Sequence, residues 1–124
     1  IRRLSILSEI EQELRKKGFD IRRNLVVYYL GIEKKFDIGV FRDLKDENPF
    51  LLFDIYIDPH GNFSDEIKSF YNKSRDISYA KTVFVAVPHI DKKDKKIIND
   101  LKINAIEVDD SNSIITALDS LDIS

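Results

Sequence analysis

The chain has no cysteine, methionine or tryptophan, and only 2 histidines among its 124 residues. Without cysteine there is no disulfide framework, thiolate zinc site or cysteine nucleophile, and His60 and His89 alone are too few for a histidine-rich metal centre. Any chemistry therefore falls to carboxylates. Long apolar runs are missing as well. None approaches the roughly 18 to 20 residues needed to cross a bilayer, and the opening Ile1-Arg2-Arg3-Leu4 leads into a charged helical pattern, not the apolar centre of a signal peptide. The expectation is a soluble, cytoplasmic protein with no membrane partner. The lack of methionine even at position 1 is read as a natural start upstream of Ile1, with room for a preceding domain.

What is present suits one globular domain over residues 1–124, with 43% hydrophobic and 34% charged residues. The net charge of −2 argues against a uniformly basic nucleic-acid binder, but it hides segregation. Residues 1–36 carry +4, residues 37–62 carry −4, residues 63–102 carry +3 and residues 103–124 carry −5. An acidic centre flanked by basic segments suits a metal-dependent site that also holds phosphates. A solvated surface produces the same alternation.

Leu4, Leu7, Ile10 and Leu14 recur at helical spacing, and Gly18 stands where a left-handed C-cap would end that helix. Glu11 falls on its apolar stripe, where a carboxylate is costly unless it is paired, coordinated or at the rim. Phe19–Leu30 and Lys35–Phe41 read as strands of a hairpin, and Phe50–Ile57 as a nearly continuous apolar strand interrupted by Asp54. Ser64, followed by Asp65 and Glu66, reads as the N-cap of a helix buried through Ile67, Phe70, Tyr71 and Ile77. Ala80–Val87 has the continuous apolarity of a strand covered on both faces. A lysine-rich helix, a strand over Ile103–Val108 and a helix holding Ile114, Ile115, Leu118 and Leu121 complete the chain. The expected fold is α/β, in the order α-β-β-β-α-β-α-β-α, with a mixed central sheet flanked by helices.

Two acids sit inside apolar strands, Asp37 in Lys35-Phe36-Asp37-Ile38 and Asp54 in Leu52-Phe53-Asp54-Ile55. If those strands are neighbours, spaced about 4.8 Å apart, the acids lie side by side. Two such carboxylates repel unless a cation lies between them, and oxygen-only ligation favours Mg²⁺ or Mn²⁺. Such an ion would lower the pKa of a bound water and stabilise charge on a phosphoryl oxygen.

The helix ending in Lys17-Gly18-Phe19-Asp20-Ile21-Arg22-Arg23-Asn24, the Asp-Ile strand at Asp37 and the acid-bearing strand at Asp54, followed by helix, buried strand and closing strand, resemble the PD-(D/E)XK nuclease superfamily. Archaeal Holliday-junction resolvases and Mrr-like restriction endonucleases are the nearest in kind. The resemblance covers roughly residues 4–110 and rests on the order of elements more than on any tripeptide. It implies a restriction-endonuclease-like fold, with Asp37 and Asp54 as metal ligands and catalytic acids, and Glu11 on the first helix as a helper. At the family's lysine position, two residues beyond the second acid, this chain has Tyr56, and its best match to the resolvase glutamate is Leu7. Tyrosine offers no cation, and its phenol is a poor base near neutral pH. Lys35, on the strand face of Asp37, and Lys68 or Lys73, on the following helix, are the candidate replacements.

The leading expectation is a nuclease-fold domain that binds DNA or RNA with a weakened or lost metal site. Arg22, Arg23, Lys34 and Lys35 would form its phosphate-facing edge, with Lys68 and Lys73 contributing from the helix. One rival is an active Mg²⁺-dependent endonuclease with a relocated lysine. Another is a homodimerising or partner-binding module, with apolar strand edges and the phenylalanine and tyrosine content building the face. The plainest reading has no metal at all, with Asp37 merely starting a strand and Asp54 a rim acid paired to Lys35. His60, His89 and the lysines at 92, 93, 95 and 96 read as solvated, and of the adjacent Tyr28 and Tyr29 at most one can face the core. Replacing Tyr56 by lysine is expected to create or raise Mg²⁺-dependent cleavage in a gel assay; unchanged activity would count against a merely degenerate site.

Overall fold

The structure is a computed structural model that describes residues 2–109 and 113–123. Its elements are α1 (Arg2–Lys16), β1 (Asp20–Tyr29), β2 (Ile32–Phe41), β3 (Leu51–Ile57), α2 (Ser64–Ser74), β4 (Lys81–Val87), α3 (Lys92–Leu101), β5 (Asn104–Glu107) and α4 (Ile114–Asp119), the order expected from the sequence. The strands form one five-stranded sheet in the order β1-β2-β3-β4-β5. The first two pairings are antiparallel and the last two parallel, so the sheet is mixed.

Helices cover both faces. On one, Ile6, Leu7, Ile10 and Leu14 of α1 and Ile114, Ala117 and Leu118 of α4 pack against Ile38, Leu51, Phe53, Ile55, Val83 and Val85. On the other, Ile67 and Phe70 of α2 and Ile98 of α3 pack against Phe36, Leu52, Phe84 and Ala86. Strand β4, buried from Val83 to Val87, contributes to both faces, as its unbroken apolarity predicts. The α1 stripe differs in one place from the predicted pattern. Ile6 is buried and Leu4 is exposed, so the apolar face is turned from the one that Leu4 would define.

Local chemistry sets the ends of the elements. Helix α1 stops as predicted at Gly18, whose φ of 92° a side chain would disfavour. The Gly18 amide donates to the Arg15 carbonyl and the Phe19 amide to that of Leu14, the paired bonds of a glycine C-cap. The start of α2 is built differently from expectation: Ser64 is its first helical residue and no side chain caps Phe63. Instead Asp94, wholly buried on α3, accepts from the Phe63 amide at 2.7 Å and the Ser64 hydroxyl at 2.9 Å. A carboxylate from one helix therefore caps its neighbour.

Asp94→Ala leaves those two donors without their acceptor, and the fold is expected to lose about 2–4 kcal/mol in urea denaturation. Lys93→Ala, one residue away and exposed, serves as the near-neutral control.

Candidate active-site cleft

Pairing between β2 and β3 runs through Val40↔Leu51, Gly39↔Leu52 and Ile38↔Phe53 and stops there. Beyond that point β2 stays with β1 and β3 with β4, so the two central strands part. The next residues in register are Asp37 and Asp54. Their carboxylates take over from the interrupted ladder: Asp54 Oδ1 accepts the Asp37 amide at 3.0 Å, and Asp37 Oδ2 accepts the Ile55 amide at 2.8 Å. Each acid satisfies a backbone donor that the parting strands would otherwise leave unmatched.

A second irregularity coincides with this one. The β1–β2 pairing skips Asn24 and Asp37, and Asn24 has a φ of 51°. Strand alternation slips there: Ile21 and Ile38 pack in the α1/α4 layer, whereas Leu25, Val27 and Phe36 pack in the α2/α3 layer. Asparagine tolerates the left-handed conformation this requires. Asp37 thus stands at the changeover between faces, within reach of α1, and Asp54 shares its face with Leu52 and Tyr56, toward α2.

Each acid has a protein cation. Arg3, in the first turn of α1, brings one guanidinium nitrogen to 2.6 Å from Asp37 Oδ2 and donates another to the Ile55 carbonyl at 2.5 Å. Lys73, near the end of α2, pairs with Asp54 Oδ2, donates to the Lys35 carbonyl at 2.8 Å and lies over the Phe36 ring. The Tyr56 hydroxyl also donates to Asp54 Oδ2, at 3.2 Å, with its ring stacked on Phe84. Arg3, Lys35, Asp37, Asp54, Ile55, Tyr56 and Lys73 line one open cleft of about 270 Å³. Three cations face two acids.

Burial, outweighing the favourable Lys73 and Asp37-amide contacts, holds the Asp54 carboxyl above its ordinary value. Burial and the neighbouring Asp54 and Asp37 push the Tyr56 phenol upward as well, so it remains a neutral hydrogen-bond donor rather than a base.

Of the predicted site residues, the cleft unites Asp37, Asp54, Lys35 and Lys73. The rest lie elsewhere. Glu11 pairs with Arg23 at 2.8 Å and with Arg15, and the Arg23 bond is the main cause holding its carboxyl below the usual range. Arg23 also donates to Ser8. Lys34 is buried, donating to the Lys73 carbonyl at 2.8 Å, 3.7 Å from Asp76 and over the Tyr29 ring. Arg22 lies over the Phe41 ring, in a groove with Tyr28 and Tyr79, and Lys68 lines a groove between α2 and α3. Tyr28 is exposed and Tyr29 is not buried, so neither is a core residue. Among the described residues, no group of three or more acidic or histidine side chains is placed to hold a metal ion, and no helix is long and apolar enough to cross a membrane.

Sequence reasoning missed Arg3. A signal was present: Arg3 lies three and four residues before the buried Ile6 and Leu7, so it extends the inward row of α1 by one turn.

No family model and no curated protein matches this chain. Among solved structures it is similar to the crystal structure of AF1548, a protein of unknown function, with a TM-score of 0.63 and 14% sequence identity. The match covers 94% of this chain and 66% of that one, so this chain spans just under two thirds of AF1548. At such identity the likeness shows a shared fold.

Lys73→Met removes the cation on Asp54, and the Asp54 carboxyl, followed by carbon NMR, is expected to titrate higher still. A folded-state value above the unfolded one means that the folded state holds the proton more tightly. Stability from this group is therefore present at low pH and falls as pH rises from about 3.8 through the raised value, more steeply in the variant.

Proposed function

We propose that the protein is a nucleic-acid-binding domain of the PD-(D/E)XK nuclease type whose acidic pair is neutralised from within. The observation that carries this reading is the composition of the cleft: Asp37 and Asp54 are each engaged by a protein cation, and Lys35 adds a third positive group to the same walls. A phosphodiester approaching this cleft meets net positive charge, with Lys35 exposed to receive it.

The oxygen donors suit a hard divalent ion in kind: the two carboxylates and the Ile55 carbonyl would hold Mg²⁺ or Mn²⁺. Such an ion, when bound, would supply an acidified water and charge stabilisation at phosphorus. The residues around it work in another direction. Tyr56 orients Asp54 by donating to it, Lys73 and Arg3 compensate the two acids, and the aromatic wall of Tyr56, Phe70 and Phe84 keeps one side of Asp54 dry.

A second reading is favoured by the place of Lys73. Its ammonium reaches Asp54 from α2, so it supplies at the acid the cation that Tyr56 does not. On that reading the domain is a Mg²⁺-dependent endonuclease with Lys73 in the lysine's role.

A binding and cleavage panel separates them, using single-stranded, duplex and branched DNA and RNA with Mg²⁺, Mn²⁺ or EDTA. The first reading expects salt-sensitive binding without cleavage, and a salt slope shallower by about 1 in Lys35→Ala. Metal-dependent cleavage lost in Asp37→Ala, Asp54→Ala and Lys73→Met would replace it with the second. Neither binding nor cleavage would overturn both.

A further inference from the structure

We propose that Arg3 is a resident counter-ion that competes with a divalent cation for the cleft, and that its release by a nucleic-acid phosphate couples phosphate binding to metal binding. The competition follows from the donor set. The guanidinium spans Asp37 Oδ2 and the Ile55 carbonyl, a carboxylate and a backbone oxygen that lie together where the strands part. These are the oxygens from which a hard cation would be assembled. A guanidinium presents a fixed fork of donors and is always charged, so it satisfies both at once and needs no bound ion to balance Asp37.

Arg3 is also built to leave. Its side chain is 45% exposed in the first turn of α1, whereas Asp37 is 19% exposed, so the cation rather than the acid can reach solvent. A phosphate oxygen is the anion a guanidinium binds in the same two-pronged way. When a phosphodiester takes Arg3, Asp37 loses its counter-ion and the Ile55 carbonyl loses its donor, and both become open to a metal ion. The exchange runs equally in reverse, since a bound ion frees Arg3 for phosphate, and each ligand raises the affinity of the other by one common factor. Lys73 takes no such part. Its ammonium is less exposed and is held by the Lys35 carbonyl as well as by Asp54.

This coupling rests on the nucleic-acid reading above, but the competition does not. Mn²⁺ binding, followed by electron paramagnetic resonance on the folded protein, tests the competition with no nucleic acid present. The parent is expected to bind Mn²⁺ weakly and Arg3→Gln to bind it more tightly, by roughly 5- to 150-fold. Adding Asp37→Asn to that variant is expected to abolish the gain. Arg3→Lys, which keeps the charge but not the fork, is expected to gain less. Arg3→Gln binding Mn²⁺ no better than the parent, with an unchanged thermal melt, would overturn the proposal, as would an equal gain in Arg3→Lys. A short duplex DNA is then expected to raise Mn²⁺ affinity in the parent and much less in Arg3→Gln. An equal rise in both would overturn the coupling, whereas DNA that fails to bind either protein would overturn the nucleic-acid reading and leave the Mn²⁺ comparison standing.

Discussion

The parting of β2 and β3 after Ile38 and Phe53 is the constraint on which the cleft depends. Two strands that leave one another inside a sheet expose amides that burial makes costly, and here Asp37 and Asp54 accept them. The two carboxylates are thus structural before they are anything else. They close the fork by hydrogen bonds across it and, in doing so, bring two negative charges into a partly dry place. The cations from α1 and α2 answer that charge, and the changeover at Asn24 and Asp37 lets one acid look to each layer of helices. Backbone satisfaction, charge compensation and the shape of the cleft are one arrangement.

The outer pieces of the molecule hold that arrangement in place. Lys34 spends its ammonium on the last turn of α2, and Asp94 spends its carboxylate on the first. Neither residue faces the cleft, yet the two fix the helix that delivers Lys73. Glu11 and Arg23 similarly join α1 to β1, and neither lines the cleft. Several charges that look available in the chain are in this way committed to holding elements together.

The order and kind of the elements could be read from periodicity and turn chemistry, because each carries its own local signal: the Gly18 stop, the apolar run of β4, the acids opening α2. Asp37 and Asp54 could also be singled out, since an acid within an apolar strand is costly anywhere. Their partners could not. Arg3 lies 34 positions before Asp37 in the chain, and Lys73 lies 19 beyond Asp54. Which basic residue reaches a given acid depends on how helices lie across a sheet, which no local pattern encodes. The same holds for Lys34, whose exposed-looking position in a charged segment conceals a buried role, and for Asp94, which sits among four lysines and bonds to another helix. Ser64 follows the same rule: its sequence context fits a cap, but it is the first helical residue and the capping carboxylate is Asp94 of the neighbouring helix.

Helix α2 is clamped at both ends by side chains that owe nothing to Asp54. Its register over the sheet is therefore set before Lys73 meets its acid, and the ammonium is delivered to one point by the rest of the fold. A charge held by its scaffold rather than by its counter-ion keeps its address when that counter-ion is neutralised. In this molecule the Lys73 charge of the cleft is thus a fixture, and the cation with room to change partners is Arg3, in the first turn of α1.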